Sequence, residues 1–270
     1  MLAFVAIAAL FQDPDPPAER TPSIYRCPAA EAESKFWPSL VKEHYFDSYC
    51  VEPKPGPIAQ QVVKESKLNV KFIDAKGIDT PANMKWRNAT IDFVNGKISP
   101  RDWLSKTKAS KATVHFLSNP KTPTLREATK QESPKAVCAE LLVLTWPGRP
   151  CFTADDIWQT RYFPGPGRME SWILSMNDLL GPAMYGRVRD KLLFAKQPEI
   201  VRADDKPGLL IYRYKQGKRV ETFYVNNGPK PIEINPKMEN VTGICRGLNL
   251  DGEKPTILPM GFVNESEGED

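Results

Sequence analysis

Twenty-six prolines punctuate this 270-residue chain, about twice the average usage. Each proline fixes φ and removes a backbone donor, so few helices or strands can run far before being stopped. With only 16 glycines beside them, 41% hydrophobic and 26% charged residues, the chain stays clear of low-complexity or disordered composition. It reads as a folded protein with many rigid loops.

Pieces between the prolines carry local signals. Apolar spacing predicts two short helices over Ala29–Tyr49 and another over Ile58–Glu65 behind Pro57. Alternation at Leu68, Val70 and Phe72 predicts a strand, and Thr90–Val94 reads as a second strand turning at Asn95-Gly96. Ser99-Pro100-Arg101-Asp102 opens a helix through Trp103, and Ala112–Leu117 reads as a strand. Thr124 with Glu127 forms a capping box, Leu141–Trp146 reads as a buried strand, and Thr153 starts another helix toward Tyr162. Met169, Trp172, Ile173, Met176, Leu179 and Leu180 make an amphipathic stripe, expected to pack on a hairpin of Gly208–Tyr214 and Val220–Val225 turning at Gln216-Gly217.

Helices and hairpins come in blocks, so the expected class is α+β: short helices and antiparallel hairpins with many Pro-rich loops, not a doubly wound parallel sheet. The expected organisation is a signal-like apolar segment and tether over 1–22, an α+β region over 23–118, a linker over 119–134, a second α+β region over 135–264, and an acidic tail over 265–270. Leu2–Phe11 is too short to span a bilayer but has the length of an exported protein's apolar leader, so an extracytoplasmic location, periplasmic or secreted, is expected.

Five cysteines, at 27, 50, 138, 151 and 245, and two histidines, His44 and His115, lack the spacing of a structural zinc site, and no metal or cofactor is expected. In an oxidising compartment, Cys27 with Cys50 and Cys138 with Cys151 are the disulfide candidates of shortest loop, although spacing alone does not fix connectivity. The Pro147-Gly148-Arg149-Pro150-Cys151 turn before a capped helix resembles the setting in which thioredoxin-like and peroxiredoxin-like enzymes lower a thiol pKa. That resemblance covers about ten residues and makes Cys151 the catalytic candidate.

Nine Lys or Arg against three acidic residues between Lys97 and Lys135 make a basic face. Lys106, Lys108 and Lys111 are its binding candidates, suited to an anionic envelope polymer or a protein and less to nucleic acid, because aromatic residues are sparse there. Trp158, Tyr162, Phe163 and Trp172 flank the Pro-Gly turn at 164–167 as a second binding candidate. Asp155, Asp156 and Glu170 nearby could serve a glycosidase, but no spacing rule sets their separation. Sequons at Asn88, Asn240 and Asn264 point weakly to the surface. With no assembled catalytic set, the expectation is an exported, non-enzymatic binding protein of the cell envelope, with a thiol enzyme built on Cys151 as the alternative.

Overall fold

Alternation within the first strand already sorts the chain into an inside and an outside. The computed structural model describes residues 21–35, 37, 38, 41, 46–130, 132–153, 156, 196–206, 208–252 and 254–268. In β1 (Thr21–Pro28), Ile24 points to one face, whereas Tyr25 and Cys27 point to the other. The same parity holds in β2 (Phe46–Glu52) and β5 (Arg149–Thr153), where Cys50 and Cys151 join Ile24, while Tyr49, Val51 and Phe152 face the helices. With β3 (Lys71–Phe72) and β4 (Val114–Phe116), these strands form a five-stranded sheet in the order β3-β2-β1-β5-β4.

Every pairing in that sheet is parallel. Among the described residues the order is circular: consecutive strands lie side by side, β5 pairs with β1, and the one missing neighbour pair is β3 with β4. A strand set that returns to its own first member is the arrangement of a barrel, without a β3–β4 pairing among the described residues. The inner face is small and apolar, built from Ile24, Cys50, Ile78, Val114, Phe116 and Cys151.

Helices cover the outer face. After the one-turn α1 (Ala29–Ala32) come α2 (Pro57–Ser66), α3 (Pro81–Val94), α4 (Pro100–Ser110), α5 (Leu125–Ala128) and α6 (Ser133–Thr145). Proline sits in the first turn of α2, α3, α4 and α6, where its missing N–H costs nothing. Thus many prolines start helices here. The Ser99 hydroxyl accepts from Asp102 N at 3.2 Å, and the Thr124–Glu127 capping box forms as expected. Among the described residues, no helix is long and apolar enough to cross a membrane.

The α+β expectation is therefore corrected: the first half is a parallel α/β sheet. Two segments misled it. Thr90–Val94 is the end of α3, and Leu141–Trp146 forms the end of α6 and the residue after it. A fully buried apolar run has the same composition in a helix as in a strand, so periodicity cannot separate them.

After the parallel sheet comes an antiparallel one. It comprises β6 (Glu199–Ala203), β7 (Leu209–Gln216), β8 (Arg219–Asn226), β10 (Val241–Asn249) and β11 (Thr256–Glu267) in the order β10-β11-β8-β7-β6, with β9 (Ile232–Glu233) on β11. The β7–β8 hairpin turns at Gly217 and Lys218. Its Tyr212 and Phe223 continue an aromatic series from the helices, with ring centres 4.6 Å apart for Trp103–Trp146, 5.3 Å for Trp146–Tyr212 and 5.0 Å for Tyr212–Phe223. Tyr214 also donates its hydroxyl to Thr145 O at 2.8 Å. Among the described residues, the two sheets thus share one hydrophobic core through α3, α4 and α6. The Met169–Leu180 stripe lies outside the described residues.

One glycine is dictated by this packing. Gly148 has φ +139°, and a Cβ there would come within 2.5 Å of His115 Cε1. The imidazole cannot retreat, because its other face stacks on Trp86 at 4.0 Å and 8°. Gly148→Ala is expected to cost about 1–3 kcal/mol from strain and overpacking. Chemical denaturation measures it, and an unchanged midpoint would show that the turn relaxes freely.

Candidate active site at the strand ends

Continuing each strand by two residues along its inward face carries the chain from apolar to polar. Ile24 leads to Arg26, Cys50 to Glu52, Phe116 to Ser118 and Cys151 to Thr153. These second residues lie at the C-terminal ends of the parallel strands, the face on which barrel enzymes build their sites.

Arg26 is the hub. It is 2% exposed, yet its guanidinium reaches two carboxylates: Nε donates to Glu52 Oε2 at 2.7 Å, and Nη1 and Nη2 donate to Asp79 Oδ1 and Oδ2 at 2.6 and 3.0 Å. Asp79 follows the 3₁₀ turn Ala75–Gly77, whose start is capped by Asp74 accepting from Lys76 N. Two more groups approach Asp79: Asn119 Nδ2 donates to Oδ1 at 3.3 Å, and Lys121 Nζ lies 3.4 Å from Oδ2. Burial alone would raise the Asp79 carboxyl, but Arg26 and Lys121 outweigh it and hold the group below its ordinary value. Burial would likewise lower Arg26, and the two carboxylates overcome that and raise it.

A second carboxylate, Asp156, is fully buried just past β5. Ser118 Oγ donates to its Oδ1 at 2.7 Å, and Thr153 donates to Oδ2 through both N and Oγ1, at 2.8 and 2.9 Å. Arg87 secures the loop carrying Ser118, Asn119 and Lys121, donating to Leu117 O at 2.8 Å and Pro123 O at 3.0 Å.

The three carboxylates thus differ in what they can do. Both oxygens of Asp79 and of Asp156 are engaged by donors. Glu52 accepts from Arg26 through Oε2 alone, is 33% exposed, and keeps Oε1 without a partner among the described residues. Geometry makes Glu52 the group able to exchange a proton with something bound at the strand ends. No group of three or more His, Cys, Asp or Glu gathers to hold a metal ion among the described residues.

The residues singled out from sequence lie elsewhere. Cys151 is 1% exposed on the inner face of the sheet. Burial pushes its thiol well above the usual range, more than nearby Arg26 lowers it, so it is a core residue and not an activated nucleophile. All five cysteines are free, which corrects the disulfide expectation. Strand parity is the reason: Cys50 and Cys151 point inward, while Cys27 and Cys138 pack on the helix side, so neither expected partner shares a face. Burial raises the other thiols too, Cys50 to about 11 and Cys138 to about 12.

Lys106, Lys108 and Lys111 sit on α4 and at its C-terminal cap, exposed, at the end of the sheet where β4 begins and not at the mouth. Trp158, Tyr162, Phe163 and Trp172 lie outside the described residues. Of the sequons, Asn88 is exposed, but Asn264 is 2% exposed and donates to Glu221 Oε2 at 2.9 Å, so it is a core residue. Arg26, Glu52, Asp79 and Asn119 were not singled out from sequence. The legible signal was the repeated step from an apolar residue to a polar one two positions later, at the end of four strands.

No family model matches this chain, and no curated protein does. Its fold does match solved structures. An α-amylase from H. orenii superposes with a TM-score of 0.54 at 14% identity, over 87% of this chain and 62% of that one. A debranching enzyme from Nostoc punctiforme gives 0.54 at 14%, over 86% and 59%. The cyclic α-maltosyl-(1→6)-maltose hydrolase from Arthrobacter globiformis gives 0.52 at 13%, over 83% and 57%. The chain therefore spans about 60% of the length of these structures, and at such identity the likeness establishes fold alone. The expectation of a non-enzymatic envelope binding protein is corrected on this ground: the three solved structures on which the chain superposes are enzymes by their names, which tells against it. The thiol-enzyme alternative falls with the placement of Cys151. What the chain shares with these three enzymes is the fold.

Proposed function

We propose that this chain cleaves α-glucosidic linkages at the C-terminal ends of its parallel strands, with Glu52 as the proton-transferring group. The observation that carries the proposal is the asymmetry among the three carboxylates: Asp79 and Asp156 are saturated with donors, whereas Glu52 presents an available oxygen beside a buried guanidinium. The substrate class comes from the structural neighbours, whose names describe an α-amylase, a debranching enzyme and a cyclic maltosyl-maltose hydrolase. Fold likeness by itself is an analogy, so the site must carry the chemistry.

In this reading, the Glu52 carboxylate takes a proton from the water that adds to the anomeric carbon as the glycosidic bond breaks, and passes that proton to the departing oxygen, which restores the carboxylate. Arg26 fixes the Glu52 carboxyl through Oε2 and leaves Oε1 turned to the substrate. Asp79 keeps Arg26 in place and does not itself exchange protons. Release of reducing ends from maltodextrin by the full chain tests the proposal. Absence of release across linear, branched and cyclic α-glucans would overturn it.

A further inference from the structure

A second site lies at the opposite end of β4 from this mouth, and it does not depend on the glucan reading. A cavity of about 420 Å³ opens between α4, the start of β4 and the edge strand β6. Its walls are largely aromatic and aliphatic, including Trp86, Trp146, His115 and Ile200. That volume and lining are typical of pockets for small ligands with an apolar body.

Trp86 is buried behind this lining, 1% exposed and stacked on His115, so the polar character of the site comes from its lysines. The charged residues of the lining are Lys108 and Lys111, both exposed, and neither makes an ion pair among the described residues. Lys111 is held in place at the helix end by its left-handed backbone, φ 52°, with its N–H donating to Lys108 O. Among the described residues, no carboxylate lines the cavity to neutralise the pair.

From this we infer that the cavity binds a small aromatic carboxylate. The flat ring lies against the apolar wall of Leu104, Trp146 and Ile200, and the carboxylate faces Lys108 and Lys111. An aromatic carboxylate is favoured over a sugar because the lining offers two cations but few of the side-chain acceptors that hydroxyls need. A polyanion is disfavoured because the lining supplies only these two cations among the described residues.

Calorimetric titration of the full chain with 2-naphthoate, and with the uncharged 2-naphthalenemethanol as control, tests this. Naphthoate should bind one to one and more tightly than the alcohol. The double variant Lys108→Gln/Lys111→Gln, both positions solvent-exposed, should weaken naphthoate by about tenfold and leave the alcohol unchanged. A thermal melt checks that the double variant is folded. Equal binding of acid and alcohol, or full naphthoate affinity in the double-lysine variant, would overturn the site. So would loss of binding in Glu52→Gln or displacement by maltodextrin, since either would move the ligand to the strand ends.

Discussion

Replacing Glu52 by Gln is expected to slow maltodextrin hydrolysis by about 10²–10⁴-fold, equivalent to about 3–5 kcal/mol of lost transition-state stabilisation. The amide keeps an oxygen that can still accept from Arg26 Nε, so the cluster keeps its geometry, but it can neither donate nor receive the reacting proton. Glu52 is one-third exposed and makes one of the three Arg26 contacts, so stability should change by less than about 1 kcal/mol. The decisive comparison is kcat against the denaturation midpoint. A fall in kcat with an unmoved midpoint places the proton on Glu52. A full-rate variant would show that another group performs the transfer, and parallel losses in both quantities would make Glu52 a structural residue.

How much of this was legible in the sequence depends on the range over which each signal acts. Local chemistry was legible: the Ser99 cap, the Thr124–Glu127 box, the helices opened by Pro57 and Pro100, and a hairpin turning within one residue of Gln216-Gly217 all depend on a few adjacent residues. Features set by burial were not. α6 is apolar around most of its circumference because it sits between the parallel sheet and the antiparallel one, so Leu141–Trp146 lacks the polar face that marks a surface helix. Reading it and Thr90–Val94 as strands removed two helices and hid the strand–helix alternation of a parallel sheet. The site was hidden for a related reason. Arg26, Glu52, Asp79, Asn119 and Lys121 are spread over nearly a hundred residues and meet because four strand ends meet. Asp156 was noticed, but with sequence neighbours Asp155 and Glu170 as its assumed partners; its actual contacts are Ser118 and Thr153.

Asp79→Ala is expected to destabilise the fold by about 3–5 kcal/mol, the largest stability effect proposed for this chain. The reason is the state in which it leaves Arg26. That side chain is 2% exposed and makes two of its three carboxylate contacts to Asp79. Removing one partner of a buried ion pair leaves a desolvated charge without compensation, which costs far more than the intact pair contributes. Arg26→Met should therefore be milder, because it removes the buried charge along with its contacts and fills much of the same volume. The pH dependence follows the same logic. Asp79 has a folded-state pKa below its ordinary value, so its contribution is fully present above the unfolded carboxyl pKa of about 4 and is lost as pH falls through the lower folded value. Denaturation midpoints measured from pH 7 down to about pH 2 should fall more steeply below about pH 4 in the wild type than in Arg26→Met, where the Asp79 carboxyl has no guanidinium to depress it. If the two chains lose stability in parallel, the acid-sensitive carboxylate lies outside this cluster. If Asp79→Ala is no less stable than Arg26→Met, Arg26 must reach water or another anion once Asp79 is gone, and the strand ends are more open than the buried guanidinium implies.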